Sequence, residues 1–423
     1  MLRRALVTVL AAVALAAVAA PASASRYARF GVQDDAWLMY GPGTMEQRLA
    51  TLDRLGVGIV RLTLRWDEIA PTRPADQRDP YDPAYRWNAF DLALQGLRAH
   101  HITPLVTIWG SPRWANGGGP ANRLPRYGFG NFAYAAAKRF PWVRLWTIWN
   151  EPNKRQFSAP VSPKLYVRRL LNPAYALLHL ANPRNKVAGG VTSPRNTPGG
   201  VSPTAFMDGM RRYHAHLDAY AQNPYPGSPS ETPFHDPCSW CHTLTMARLP
   251  QIRARVTRLF GHKPLWLTEY GYQTDPPDPF SGVSPRLQAR YVGRAALRVE
   301  EQSGVTILIH FLVRDEPSLG GWQSGFFTVH GTAKPALRAF GLPLAQVSRS
   351  GRRTVLWGQV RPGSGHRRYV LQRWTGRHWT GIGGARRTNL RGGFRRVIRA
   401  RPGEELRLWT PVVSYSSPPL RVS

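Results

Sequence analysis

Val143-Arg-Leu-Trp-Thr-Ile-Trp-Asn-Glu-Pro-Asn153 decides the reading of this chain. Its first half alternates and carries β-branched and aromatic residues, which predicts a buried strand. Pro152 has no N–H to give a central ladder, so the strand must stop before it. Glu151 is thereby left at the carboxyl end of a strand, next to Trp146 and Trp149. A carboxylate in such apolar company needs a partner or a task. Pro264-Leu-Trp-Leu-Thr-Glu-Tyr-Gly271 repeats the pattern, an apolar run that ends on Glu269.

Outward from these two runs the chain alternates. Strands are expected at Tyr27 to Val32, Val57 to Leu64, Ile102 to Trp109, the run ending at Glu151, Lys186 to Val191, Leu217 to Ala221, the run ending at Glu269, and Gly304 to Leu312. Between them, helical spacing is read at Thr44 to Leu55, Trp87 to Leu97, Asn131 to Phe140, Leu165 to Ala181 (with a kink at Pro173), Thr204 to His214, Leu244 to Phe260 and Pro285 to Gln302, and a last helix near Lys334 to Phe340. Eight strands alternating with helices and closed by right-handed crossovers are a (β/α)₈ TIM barrel. The expected catalytic domain spans residues 25–344. From 345 to 423 the pattern becomes short alternating runs, such as Val355 to Val360 and Tyr369 to Trp374, between Gly- and Arg-rich turns. This predicts a small all-β, sandwich-like module.

Arg3 and Arg4, the apolar run Ala5 to Ala20 and Ala22-Ser23-Ala24 form a secretory signal peptide by pattern, residues 1–24, with cleavage near Ala24. The expectation is an exported, extracellular protein with no membrane span after cleavage. The formal net charge is +33, from 57 Lys and Arg against 24 Asp and Glu. Residues 345–423 hold 17 Arg, no Lys and 2 Glu, so almost half of the excess lies there. Alternating Arg on strands reads first as a solvated outward face, and next as a surface for anionic glycan or cell wall; the pattern does not point to nucleic acid. Cys238 and Cys241 are the two cysteines, and in an exported protein they predict a local disulfide. They cannot complete a four-ligand zinc site alone, and His214-Ala-His216 straddles a helix end. No metal or cofactor is called for.

In a barrel the reacting groups stand at the carboxyl ends of the strands, where the loops converge. Glu151 and Glu269 both qualify, and two carboxyls of unlike protonation are what glycoside hydrolysis requires. Asn150 is placed to hold a sugar hydroxyl. Tyr225, ending the sixth strand, can reach Glu269 and hold it ionised, and Arg61, inside the second strand, is a buried cation able to do the same. Trp66, Trp109, Trp114, Trp149 and Trp322 are expected on or near this face, where flat indoles stack on sugar rings. Asn223 completes the expected substrate shell.

Trp149-Asn150-Glu151-Pro152-Asn153 and Trp266-Leu267-Thr268-Glu269-Tyr270-Gly271 resemble the acid/base and nucleophile motifs of clan A glycoside hydrolases, retaining (β/α)₈ enzymes that include cellulase-like family 5 and xylosidase-like family 39. Val60-Arg61-Leu62, Pro112-Arg-Trp114 and Gly331-Thr-Ala-Lys334-Pro335-Ala336 add to the resemblance, which covers roughly residues 30–342. It implies Glu151 as proton donor, Glu269 as nucleophile, and an oligo- or polysaccharide with a β-linked sugar as substrate. Three departures touch the sugar-binding shell. Many members carry His two residues before the sixth-strand Tyr, where this chain has Asn223. Many end the eighth strand on Trp, where this one has His310-Phe311, and no His ends the third strand. The alternative from another class is a catalytically silent glycan- or cell-wall-binding protein on the same scaffold.

Overall fold

The computed structural model describes residues 28–238 and 241–423; the leader sequence read above lies outside them. Eight parallel strands close into a barrel in chain order. They are β1 Arg29–Gln33, β2 Ile59–Arg65, β3 Thr103–Trp109, β4 Leu145–Ile148, β5 Lys186–Thr192, β6 Ala219–Gln222, β7 Leu265–Tyr270 and β8 Val305–Phe311. Closure is made by β1 on β8, with Gly31 opposite Ile309.

Strand side chains alternate between the barrel axis and the helix layer. Ile59, Leu105, Ala188, Ala219, Trp266 and Ile307 form a separate apolar cluster on the inner face. The outer face joins the helices in one large core that contains Val60, Leu62, Val106 and Leu267. Arg61 lies two residues past Ile59, on the inner face and one layer higher, and is 1% exposed. The axis is therefore plugged with hydrocarbon below and turns polar toward the strand ends. That polarity gradient is what positions the site.

In β7 the period of two is interrupted. Its register against β8 shifts between Leu267 and Tyr270. Leu265, Leu267 and Tyr270 all belong to the outer core, so one extra residue is absorbed at Thr268–Glu269. A bulge of this kind re-aims side chains, and here it lets both Thr268 and Glu269 reach the axial network described below.

Three local features depart from the sequence expectations. The stretch after β1 is a helix, Asp35–Tyr40, capped by Asp34, whose carboxylate accepts from Trp37 N at 2.9 Å. The helix expected at Leu165 to Ala181 is broken into Pro163–Leu165, a π-helical segment Tyr166–Leu171 and Asn172–Ala181, with Pro173 in the first turn of the last piece. Proline, which has no N–H to donate, is tolerated in the first turn of a helical piece. The helix expected from Leu244 begins only at Leu249, after a 3₁₀ turn at Met246–Arg248.

C-terminal to the barrel, β9 Leu344–Ser350, β10 Arg353–Gln359, β11 Arg368–Trp374, β12 Trp379–Gly381, β13 Arg386–Arg387, β14 Gly393–Arg399, β15 Glu405–Trp409 and β16 Leu420–Arg421 form two antiparallel sheets. One has the order β14-β10-β9; the other runs β12-β11-β15-β16, with β13 also on β11. Leu356, Leu371, Phe394, Leu406 and Leu408 fill the space between them. Most arginines here are exposed, Arg353, Arg368 and Arg399 among them. Arg361 is an exception: it is buried, with its guanidinium 4.0 Å from the Phe30 ring centre and 4.4 Å from that of Phe340. Ala345 and Trp357 join the barrel's own core. At Gly56, φ is +70°, and a Cβ would lie 2.5 Å from the backbone of Arg361 and Pro362. The sheets and the barrel thus meet backbone to backbone. No helix among the described residues is long and apolar enough to cross a membrane.

Trp357 is 3% exposed on this seam. Trp357→Ala is expected to destabilise the chain by about 3–5 kcal/mol in urea unfolding. A loss below ~1 kcal/mol would mean that the sheets only lean on the barrel.

Candidate active site

Beyond Ile148 the chain leaves the ladder in a tight, left-handed turn. Trp149 has φ +68° and Glu151 φ +38°, values that L-residues hold only when the surroundings over-determine them. Two neighbouring strands do so: Trp149 N donates to Ile108 O at 2.9 Å and Glu151 N to Val191 O at 3.0 Å. The Trp149 indole is fully buried and donates to Phe157 O at 2.7 Å. Trp149 is therefore an anchor beneath the turn and not a sugar platform. The same correction applies to Trp66, which is 1% exposed and packed against Trp114, Phe129 and Phe132.

Glu269 is fully committed. One oxygen pairs with Arg61 Nη1, and the other accepts from Tyr225 OH at 3.2 Å. Arg61 is itself pinned: Nε donates to Thr107 Oγ1 at 2.7 Å, Nη1 also to Gln33 Oε1, and Nη2 to Asn150 Oδ1 at 3.0 Å. A guanidinium with this many fixed partners cannot swing away. The Glu269 carboxyl is thus held between a guanidinium and a hydroxyl donor, with both oxygens occupied.

Glu151, 4% exposed, is held differently. Asn223 Nδ2 donates to its Oε1 at 3.3 Å, and Lys154 Nζ lies 2.9 Å from its Oε2. Burial pushes its pKa up; the Lys154 ammonium opposes that, and the nearby Glu269 carboxylate adds to it. Asn223 is oriented by Thr268, whose hydroxyl donates to Asn223 Oδ1 at 2.7 Å. The amide NH₂ is thereby left facing Glu151. By the same logic Arg61 occupies the Asn150 carbonyl, and the Asn150 NH₂ is left for another acceptor. One network therefore joins both glutamates to Asn150, Asn223 and Tyr225, expected from sequence at the strand ends, and to Arg61, expected inside the second strand.

A cleft of about 350 Å³ opens beside this network, lined by Gln33, Asp35, Thr63, Trp109, Asn150 and Glu269 among others. Trp109 is half-buried, with the Arg65 guanidinium 4.8 Å from its ring centre. Trp322 packs at a tilt on Tyr225, ring centres 4.6 Å apart, and meets Phe311 edge-on at 5.7 Å, so Phe311 and Trp322 form an aromatic wall around Tyr225, the hydroxyl donor to Glu269. His310 faces away from the site. It is buried against Phe326, bonds Ser324 O at 2.9 Å, and burial brings its pKa down to about 3, so it is neutral. Cys238 and Cys241 are disulfide-bonded with Cα atoms 5.5 Å apart. Arg248 donates to both of their carbonyls and pairs with Asp236 at 2.6 Å, which fastens the loop beyond Tyr225.

Sequence reasoning missed Gln33, Asp35 and Lys154. The first two belong to Gln33-Asp34-Asp35, a polar triplet directly after an apolar strand, and that was a usable signal. Asp35 accepts from Thr63 N at 3.1 Å, and burial raises its pKa. Lys154, three residues past Glu151 in a loop, belongs to no periodic pattern.

Arg61→Met is expected to destabilise the fold by about 3–5 kcal/mol, because it leaves Glu269 buried without its counter-charge. Arg61→Met combined with Glu269→Gln should recover most of that loss in urea unfolding. If the double variant is no more stable than Arg61→Met, the pair is not the source of the effect.

No family model matches the chain, and no curated protein matches it in sequence. Solved structures do match in fold. A GH39 enzyme from Xanthomonas axonopodis pv. citri aligns at 15% identity and a TM-score of 0.56, over 92% of this chain and 94% of that one. A monomeric β-xylosidase from Caulobacter crescentus aligns at 15% identity and 0.55, over 90% and 95%. A GH5 subfamily 18 protein from Streptomyces cattleya, in complex with GlcNAc, aligns at 16% identity and 0.53, over 75% and 79%. Coverage of 92% exceeds what the eight strands and their helices supply, so the first match runs on into the C-terminal sheets. Identities this low speak for architecture: the chain has the (β/α)₈ barrel found in these glycoside hydrolases of families 39 and 5, and its C-terminal β-sheets fall within the match to the family 39 structure.

Proposed function

We propose that this chain is an exported, retaining O-glycosidase that cleaves a β-glycosidic bond in an oligo- or polysaccharide. The observation that carries the reading is the unequal treatment of two buried carboxyls at one barrel mouth. Glu269 is locked between Arg61 and Tyr225, as suits a nucleophile. Glu151 is held at a raised pKa by burial, as suits a proton donor.

In the first step Glu269 attacks the anomeric carbon while Glu151 gives its proton to the departing oxygen, and a glycosyl ester forms on Glu269. In the second, Glu151, now the anion, takes a proton from water, which attacks the same carbon and frees Glu269. The Asn150 NH₂ is aimed to hold a hydroxyl of the reacting sugar, since Arg61 occupies its carbonyl. Trp109 offers a flat face on the cleft, and Trp322 and Phe311 pack around Tyr225, the hydroxyl donor to Glu269. Export rests on the signal-peptide pattern at residues 1–24. The exposed arginines of the C-terminal sheets offer anionic glycan or cell wall a second place to attach.

Azide separates the roles of the two glutamates. Glu151→Ala should still form the ester from an aryl glycoside with an acidic phenol, then stall, giving a burst. Azide, which needs no general base, should restore turnover and yield a glycosyl azide of retained configuration. Glu269→Ala with azide should give the inverted product, by direct attack from the vacated face. Opposite stereochemistry in the two variants would reverse the assignment, and no azide product from either would point to a silent glycan-binding barrel.

A further inference from the structure

The cation on each glutamate is held in a different way. Arg61 has four fixed partners besides Glu269: Gln33, Thr107, Asn150 and the Thr268 carbonyl. Among the described residues Lys154 Nζ has one, Glu151 Oε2 at 2.9 Å. The Lys154 backbone is fixed, its N–H bonding Glu151 O and its carbonyl accepting from Ser158 N, both at 2.9 Å. Its side chain is 23% exposed on a four-carbon stem. One cation is built in; the other can let go.

That difference meets a chemical requirement. A proton donor must carry its proton when the glycosidic bond breaks, whereas an ammonium at 2.9 Å favours the carboxylate. Drawing Lys154 off would therefore strengthen Glu151 as a proton donor. Glu151 has to touch the departing oxygen, so Lys154 borders the sugar that leaves. Arg155 follows it, exposed and without an ion pair among the described residues, its side chain 3.1 Å from where a Cβ on Gly199 would stand. Arg195, from the loop after β5, donates to Tyr225 O at 3.2 Å and senses the Glu151 charge. The groups facing Glu151 are then Lys154 from its own loop, Arg195 after β5, Asn223 and Tyr225 after β6, and Glu269 from β7. Glu269 is neutralised by Arg61, and Arg195 is offset by Glu231 and Asp236. Lys154 is the cation without a second anion, and Arg155 stands next to it.

We propose that Lys154 is a positioning residue that selects an acidic leaving sugar. In the empty site its ammonium opposes the protonation of Glu151 that burial favours; a carboxylate or sulfate on the departing sugar takes the ammonium over; Glu151 then takes up a proton from solvent more readily and acts as the donor. The proton balance closes, because the one taken from water passes to the leaving oxygen and is recovered from the attacking water in the second step. The inference rests on the glycosidase reading for its meaning, since it names the substrate class of that same site. A neutral leaving sugar would find Glu151 still paired and would be cleaved slowly.

The test reads Glu151 directly and requires no turnover. The chain is labelled with ¹³C at glutamate carboxyls, Glu151 is assigned by Glu151→Gln, and its titration is followed by NMR with glucuronate, with glucuronamide as the uncharged partner, and with neither. Saturating glucuronate should raise the proton affinity of Glu151 about tenfold or more, the scale of one opposing charge withdrawn. Glucuronamide should not move it. Lys154→Met should show the raised affinity with no ligand and no response to glucuronate, while Lys154→Arg should keep the response. A Glu151 titration unmoved by glucuronate, or moved equally by the amide, overturns the proposal. So does a Lys154→Met variant that titrates like the wild type. Failure of the glycosidase reading would show elsewhere, as no turnover of any aryl glycoside by the wild-type chain.

Discussion

A guanidinium buried on the axis of a barrel is the constraint around which the rest of this structure is arranged. Arg61 is 1% exposed and sits one layer above an apolar plug. Burying a charge there is tolerable only if its donors are met and an anion is at hand. Gln33 from β1, Thr107 from β3, Asn150 after β4 and Glu269 from β7 meet that requirement, so five of the eight barrel segments are tied through one side chain. The bulge in β7 has its reason here as well. Without the extra residue, Glu269 would share the outward face of Leu267, and the guanidinium would lose its counter-ion. The carboxylate that neutralises Arg61 is also the one that lines the cleft.

Glu151 shows the complementary design. Its turn is held in a left-handed conformation by the two adjacent strands, and its carboxyl meets an amide on one oxygen and a partly exposed ammonium on the other. Two glutamates of identical chemistry are thereby set apart by their surroundings alone. One has a permanent cation, and the other a cation that can be exchanged. On the proposed reading, protonation of such a pair follows what occupies the site, which would make substrate choice and acid strength two aspects of a single electrostatic arrangement.

Much of this was legible in the sequence, for identifiable reasons. Apolar runs ending on Glu151 and Glu269 announce strand ends because hydrophobicity and β-branching are local signals, and Arg61 in an apolar strand stands out against its neighbours. Alternation of the two periodicities was enough for the barrel, and Gly-rich alternating runs for the C-terminal sheets. What escaped depends on three-dimensional register. Trp66 and Trp149 were read as sugar platforms, yet neither faces the cleft: Trp66 opens a short helix packed into the outer core, and a left-handed turn drives the Trp149 indole beneath it. The six-residue helix Asp35–Tyr40 is too short to show a period. Strand β9, Leu344–Ser350, has a polar second half and lay unread across the expected boundary at residue 345. Lys154 acquires meaning only when the fold returns it to Glu151.

The central claim is that Glu269 forms a covalent bond to a sugar while Glu151 handles the proton. A panel of 2-deoxy-2-fluoro β-glycosides with an activated leaving group, which slow breakdown of the ester more than its formation, tests it most directly. Intact-mass measurement followed by peptide mapping should find one sugar per chain, on the peptide that contains Glu269, and none on Glu269→Gln. A label on the Glu151 peptide, or turnover of aryl glycosides that leaves no label and releases the inverted anomer, would contradict the account.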